Sequence, residues 1–523
     1  MSLYFNIAGP CNPGEHYMID ALKRGGKEML NLIEKKHYYV VHAARQSGKT
    51  TLLWELTDKI QAEGKYYALY CSLEGVQEIK EQSEGIPAIV KKIKQELRMQ
   101  KLPDGFAANA DYGDCSNVLK GTLSDYCQSL EKPLIILFDE ADCLSNGTLI
   151  SFLRQLRDGY VSRARIPFVH SIALVGMRNI RDYKARIRED TETLGSSSPF
   201  NIVTEALSLR RFNKDEVAEL YSQHTAETGQ IFEPQATDFI YEQTAGQPWL
   251  VNAIARWCVE KITQDDYSKP VTKEFAEQAI QDIILERGTH FDSLMERLKE
   301  PRVRSIVQPL ILGEDLNVDR LSDDYLYTRD LGIICDENRT TKAANPIYAE
   351  LIIRALSWSV QESIKENYED YTIPRYIKNG KIDMDFLIRD FQEFWRENSE
   401  IWIDRYKKNF YQYDEAAPHL VFQAFLQRVI NGGGRIIREM ALGKKRADLC
   451  VVYDAQKYPV ELKILRNEKS VSDGLEQISV YMDKMGASDG WLVLFDRTEK
   501  SWEEKLYMRS EKHKGKNITV VGV

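Results

Sequence analysis

The stretch "RADLCVVYDAQKYPVELKI", residues 446–464, sets two apolar runs around a short turn, yet it carries Asp448, Glu461 and Lys463. An even-length turn over Asp454–Lys457 would pair Tyr453 with Tyr458. Counting back along the ladder then sets Cys450 opposite Glu461 and Asp448 opposite Lys463. All three charges would share one face of the hairpin. Two acids and a lysine converging there read as a metal site.

A second set of residues suits phosphate chemistry. "HYYVVHAARQSGKTTLLWEL" reads as a strand over Tyr38–His42, a loop, and a helix opening at about Lys49. Backbone amides of such a loop and of the helix N-terminus wrap phosphates, a lysine reaches the β and γ oxygens, and a hydroxyl binds magnesium. Gly48, Lys49 and Thr50 fill those roles, with Ala43, Arg45, Gln46, Ser47 and Thr51 around them. The G-x-x-x-x-G-K-T pattern wants glycine at 43, where this chain has alanine. "KPLIILFDEAD" is an apolar run ending in Asp139 and Glu140, as expected of a buried parallel strand whose C-terminal edge faces the nucleotide. Asp139 would hold Mg²⁺ through water, and Glu140 would polarise the attacking water. "KYYALYCSL" supplies another strand, and "IPFVHSIALVGMRN" would deliver Arg178 and Asn179 to the same edge, one of them as a γ-phosphate sensor.

These sets need a large frame. At 523 residues the chain exceeds one core and suggests roughly three or four units. Its composition, 43% hydrophobic and 28% charged, is that of an ordinary globular protein. The sequence has no apolar run long enough to span a bilayer and no basic-then-apolar N-terminus, so a cytoplasmic location without membrane contact is expected. Eight scattered cysteines without a CxxC pair fit reduced thiols and offer no zinc spacing. Net charge is -9, which excludes a basic nucleic-acid coat. From Ile401 onward, however, 21 basic residues outnumber 17 acidic ones, a mild sympathy for phosphate backbones.

Over roughly residues 4–355 the chain resembles the AAA-like and STAND-type P-loop ATPases. The resemblance rests on "YFNIAGPCNPGEHYMID" before "ARQSGKTTLL", on "SPFN" after the sensor strand and on "GQP" further on. It implies ATP as cofactor. It also implies that a Gly-x-Pro turn, here Gly246, Gln247 and Pro248, approaches the nucleotide; the other reading of that turn is a helix stop. Arg154, Arg157, Arg210 and Arg211 could supply an arginine finger or line a solvated face, and a finger acting in trans would need a homo-oligomer. Residues 1–205 are expected to form the ATPase core. Apolar residues at helical spacing, with Asn213 and Pro234 as starts and Gly229 and Gly246 as stops, read as a helical lid over 206–290. A helix, strand, turn, strand and helix within 291–356 resemble the winged helix of such proteins, and 357–401 reads as a connector with an embedded helix.

Residues 402–523 resemble the PD-(D/E)xK nuclease superfamily. Helix "DEAAPHLVFQAFLQRVING", strand "GGRIIREMALG", the hairpin above, helix "VSDGLEQISVYMDKM" and strand "GWLVLFD" follow its α-β-β-β-α-β order. The family pattern lands on Asp448, on Glu461-Leu462-Lys463, and on Gln477 with Tyr481 as a Q-x-x-x-Y element. Its helical acid falls on Glu415, with Asp414 and Glu439 competing. Ala447 stands where the family name has proline. The resemblance implies that Asp448, Glu461 and the Leu462 carbonyl hold Mg²⁺ or Mn²⁺, which keeps several waters and lowers the pKa of one. Lys463 would orient that water, and Gln477 would fix Lys463 or the backbone from behind. Arg438, Lys444, Lys445 and Arg446 would position DNA through its phosphates.

The expected whole is α/β: a P-loop NTPase parallel sheet with helical lid and winged helix, then a restriction-endonuclease-like α/β domain. Its expected function is an ATP-binding and ATP-hydrolysing regulator fused to a metal-dependent DNA phosphodiesterase. The resemblance suits defence against foreign DNA or mobile-element biology. The rival is an ATP-driven signalling switch or scaffold whose C-terminal domain binds nucleic acid or a partner without cutting.

Overall fold

The computed structural model describes residues 3–105, 112–177, 203–286, 289–311, 319–337, 340–352, 376–378, 380–407, 422, 425–426, 434–438, 449–454, 456–465, 468–496, 498 and 500–523. Two compact units are distinguished: Met1–His290 with Asp319–Cys335, and Phe291–Val318 with Asp336–Val523.

The first unit is built on strands β1 (Tyr38–His42), β2 (Tyr67–Ser72), β3 (Leu134–Asp139), β4 (Ser171–Gly176) and β5 (Val203–Ser208). They form one sheet in the order β2-β3-β4-β1-β5, every pair parallel. β1, β3 and β4 are buried along their whole length, so they read as continuous apolar runs. Their side chains still alternate. Tyr38, Val40, Ile136 and Phe138 enter one core, whereas Tyr39, Val41, Ile135 and Leu137 enter the other. Helices α3 (Gln82–Met99), α4 (Val118–Ser129) and α5 (Asn146–Ser162) cover the first face; α1 (Gly26–Glu34) and α2 (Lys49–Glu63) cover the second.

The lid helices start and stop on local signals. In α6 (Lys214–Thr228) the Asn213 side chain accepts from Glu216 N, Glu216 returns the bond, and Gly229 ends the helix at φ 79°. α7 (Pro234–Thr244) opens on proline and ends at Ala245, itself left-handed at φ 47°. The expected stop at Gly246 is thus one residue late. α8 (Pro248–Arg256) follows with Gln247 as its cap, and α9 (Lys273–Glu286) closes the set.

The segment expected as a winged helix is divided between the units. It contains α10 (Thr289–Lys299), α11 (Pro301–Ile311), α12 (Asp323–Asp330) and a two-stranded ribbon of β6 (Ile334–Glu337) and β7 (Thr340–Ala343).

In the second unit a short ribbon, β8 (Ile377–Lys378) with β9 (Lys381–Ile382), turns at Gly380 and leads into α13 (Met384–Lys407). The expected domain boundary at 401/402 falls inside this helix. The reason is hydrophobic: Leu387, Ile388, Phe391, Phe394 and Trp395 share one core with Phe422, Phe425, Val460, Leu462 and Ile464. Each such side chain removed from water contributes about 1.5–3 kcal/mol, so the helix belongs with the sheet. That sheet runs β10 (Gly434–Arg438), β11 (Leu449–Tyr453), β12 (Gln456–Leu465), β13 (Asp489–Asp496), β15 (Lys516–Gly522), β14 (Tyr507–His513). β10, β11 and β12 are antiparallel neighbours, and β13 lies parallel to both β12 and β15. Helix α14 (Glu468–Met485) covers the opposite face through Leu475, Ile478 and Met482.

Candidate functional site

β1 delivers the phosphate-binding loop at its C-terminal edge, and α2 begins at Lys49, where the sequence places it. Gly48 and Gln46 take left-handed conformations at φ 85° and 56°. Ala43 does not, so alanine is tolerated where the pattern asks for glycine. What position 43 contributes is backbone: its N–H donates to Gly176 O (3.2 Å), and its carbonyl accepts from Lys49 Nζ (3.0 Å), which also reaches Ala44 O (3.1 Å). Lys49 is buried, and that burial pushes its pKa down against the pull of Glu140, Asp142 and Asp139. A buried ammonium with two carbonyl partners suits an incoming polyphosphate. The Ser47 hydroxyl, buried and without a hydrogen-bond partner among the described residues, suits it too.

Asp139 ends β3 and is 1% exposed. Its Oδ2 accepts from Thr50 Oγ1 (2.7 Å) and Tyr70 Oη (3.1 Å), and its Oδ1 accepts from Glu140 N (3.0 Å). A hydroxyl on the helix start and a carboxylate on the neighbouring strand edge make a donor set that fits Mg²⁺ beside bound phosphates. Glu140 is held at φ 52°, and burial raises its pKa while Lys49 opposes the rise. Asp142 Oδ2 accepts from Met177 N (3.1 Å), tying the end of β4 to the acid loop. Arg178 and Asn179 lie outside the described residues.

Several segments approach the loop from elsewhere in the first unit. Gln247 Nε2, in the Gly-x-Pro turn, lies 3.5 Å from Gln46 O. Gly246, at φ 69°, has a packing reason of its own: a Cβ there would sit 1.9 Å from Phe212 O. Pro248 opens α8. The His290 ring stacks on Trp249 (4.3 Å, 20°) and hydrogen-bonds the Gln46 side chain. Arg24, 5% exposed, donates to Ser47 O (2.8 Å) and Arg210 O. Thr51 Oγ1 accepts from Cys11 N (3.0 Å). Finally, a Cβ on Gly332 would lie 2.4 Å from Ala44 Cβ, and Asp330 lies 3.9 Å from His42 at the end of β1. Sequence reasoning missed Arg24, Tyr70, His290 and Asp330, whose sequence surroundings carry no motif. Arg210 is bound by both oxygens of Glu216 (2.6 Å each), a structural pairing.

The hairpin of the second unit corrects the expected register. Tyr453 pairs with Gln456, Val451 with Tyr458 and Cys450 with Pro459, so Cys450 is not opposite Glu461. A two-residue turn with Asp454 at φ 46° replaces the four-residue turn, because tight hairpins with left-handed turn residues match the twist of the strands. The slip is two residues, which preserves which face each side chain occupies. Glu461 and Lys463 therefore share the α14 face, 1% and 4% exposed, with Nζ 2.7 Å from Oε1. Lys463 Nζ also donates to Gln477 Oε1 on α14. Leu462 points to the other core, and Tyr481 is buried one turn after Gln477. Asp448, Glu415, Asp414, Glu439, Lys444, Lys445 and Arg446 lie outside the described residues.

A parallel sheet whose first strand feeds a G-K-T loop, and whose β3 ends in a carboxylate bonded to the loop threonine, defines a P-loop ATPase fold. The chain belongs to the family described as AAA-like domain, whose model matches residues 23–350. Residues 384–499 match a domain of unknown function. Among proteins of curated function none matches. Similar solved structures include a Walker-type ATPase of Pyrococcus abyssi (15% identity, 66% of this chain and 99% of that chain, TM-score 0.46). Others are the Thermotoga maritima RuvB Holliday junction branch migration motor (13%, 63% and 93%, 0.35) and Cdc6p of Pyrobaculum aerophilum (14%, 65% and 93%, 0.34). Among the described residues no helix is long and apolar enough to cross a membrane.

Proposed function

We propose that the first unit binds and slowly hydrolyses ATP with Mg²⁺, and that this controls a metal-dependent phosphodiesterase in the second unit that cuts DNA. The observation that supports the ATPase half is the Thr50–Asp139 bond beside buried Lys49. Lys49 would hold the β and γ phosphates, Thr50 and Asp139 the metal with its waters, and Glu140 would orient the attacking water. The Gln46 amide, Ser47, Gly48 and Thr51 would line the phosphates, with Arg178 or Asn179 as γ-phosphate sensor and Gly246 to Pro248 closing from the lid.

The nuclease half is supported by Glu461, Lys463 and Gln477 meeting on one sheet face. Glu461, with Asp448 and the Leu462 carbonyl, would hold Mg²⁺ or Mn²⁺, and the ion would supply an activated water. Lys463 would orient the attack. A role in defence against foreign DNA or in mobile-element biology fits such a pairing. The rival reading, a switch that binds without cutting, is favoured by the depth of the Glu461–Lys463 ion pair, because a buried pair of opposite charges also occurs as a purely structural element.

The test is nicking of supercoiled plasmid and of single-stranded DNA with Mg²⁺ or Mn²⁺, with and without ATP. Wild type is expected to cut, Asp448→Ala to bind DNA without cutting, and Lys463→Ala to retain metal yet cut poorly. No nicking by wild type under any of these conditions would overturn the nuclease half and favour the non-cutting switch.

A further inference from the structure

The metal side of the nucleotide site contains a residue that no motif assigns. Tyr70 lies on β2, the edge strand next to β3, in register with Leu137. Its phenol reaches past the strand end to Asp139 Oδ2 at 3.1 Å, the same oxygen that accepts from Thr50 at 2.7 Å. With Glu140 N on Oδ1 at 3.0 Å, three donors converge on one carboxylate. An ionised carboxylate offers about four lone-pair sites, so one remains for a metal-bound water.

The phenol is itself held. Among the described residues β2 has no strand on its outer side, and the Gln100 side chain substitutes for one there: Oε1 accepts from Tyr70 N (3.1 Å) and Nε2 donates to Tyr70 O (2.6 Å). Trp54, one helical turn beyond Thr50 on α2, packs edge-on against the ring at 6.1 Å and 85°. A residue clamped at backbone and ring alike, with its hydroxyl aimed at the acid, has a defined task.

We propose that Tyr70 is a positioning residue for the nucleotide-site metal, locking the Asp139 carboxylate in the rotamer that receives the hydrated cation. The proposal rests on the ATPase reading above. Tyr70 would touch neither nucleotide nor ion; it acts through Asp139, as outer partners of metal ligands do. Its effect should therefore appear in the metal requirement of nucleotide binding, not in metal-free affinity.

The experiment uses the full chain and a fluorescent methylanthraniloyl derivative of ATP. Affinity is measured in EDTA, and the Mg²⁺ concentration giving half-maximal Mg²⁺-dependent binding is then titrated for wild type, Tyr70→Phe and Gln100→Leu. Tyr70→Phe removes one hydroxyl and keeps the ring. It should raise the Mg²⁺ midpoint roughly three- to tenfold, the worth of one hydrogen bond, with EDTA affinity and melting temperature unchanged. Gln100→Leu should move the midpoint the same way by less. Equal midpoints for wild type and Tyr70→Phe, or a parallel loss with and without metal, overturn the role of Tyr70 and leave the ATPase reading standing. No binding by wild type under either condition overturns the ATPase reading, and the role of Tyr70 with it.

Discussion

Lys49 is a buried cation at the start of α2, and its ammonium rests on two carbonyls that cannot neutralise it. Truncating it to alanine removes a charge-assisted bond of about 1.5–3 kcal/mol, so Lys49→Ala should weaken ATP binding roughly ten- to a hundredfold and abolish hydrolysis. Glu140→Gln should bind ATP and turn it over slowly, since the amide keeps the shape without the base. Binding by calorimetry and phosphate release separate the two; wild-type turnover by both variants would refute the loop assignment. His290 gives a second expectation at this scale. Burial holds its pKa at about 3 against an ordinary 6.5, so between these values the unfolded chain takes up a proton that the folded one refuses. Stability contributed by the neutral ring is then lost as pH falls from about 6.5 toward 3. His42, His170 and His224 are shifted in the same direction. His290→Gln should melt with a smaller drop between neutral pH and about pH 5 than wild type does, as followed by circular dichroism.

At the scale of elements, α13 and the sheet of the second unit share a single apolar core, and Gln392 on that helix donates to Gly522 O (2.7 Å) and Tyr507 O (3.2 Å). A fragment beginning at residue 402 would cut this helix and expose Phe391 and Trp395 partners on the sheet. Residues 376–523 should therefore fold alone, with cooperative melting, whereas residues 402–523 should be expanded by scattering or aggregate. Equal folding of both fragments would show that α13 contributes little. In the lid, Gly246→Ala places a Cβ 1.9 Å from Phe212 O in a left-handed conformation. The strained backbone and the clash together should cost on the order of 1–3 kcal/mol of stability, read as a lower melting temperature.

For the whole molecule, the chain passes between the two compact units after His290, after Val318 and after Cys335. Two of those crossings leave from residues at the phosphate loop: His290 bonds Gln46, while Asp330 and Gly332 lie against His42 and Ala44. On the function proposed above, nucleotide binding at this loop would bear on the chain segments that lead into the second unit. DNA cleavage by wild type should change severalfold on adding ATP, and Lys49→Ala should cut at one rate with or without it. An unchanged ATP response in Lys49→Ala would sever the proposed link between the units.

Much of this was legible in the sequence because it is local. The G-K-T loop and the apolar strand ending in Asp139 are set by short-range pattern: burial on both faces demands an unbroken apolar run, and a left-handed turn demands Gly48. Helix starts at Asn213 and Pro234 follow from capping chemistry alone. The face shared by Glu461 and Lys463 follows from the two-residue period of a strand, which survived an error in register. The register itself depended on whether the turn held two residues or four, a choice made by strand twist and the packing of β11 on β12. Tyr70, His290 and Arg24 lie 23 to 244 residues from the groups they bind: Gln100 and Asp139 for Tyr70, Gln46 for His290, and Ser47 and Arg210 for Arg24. Only the folded sheet, with β2 laid beside β3 and the lid returned to the loop, brings such groups within hydrogen-bond reach.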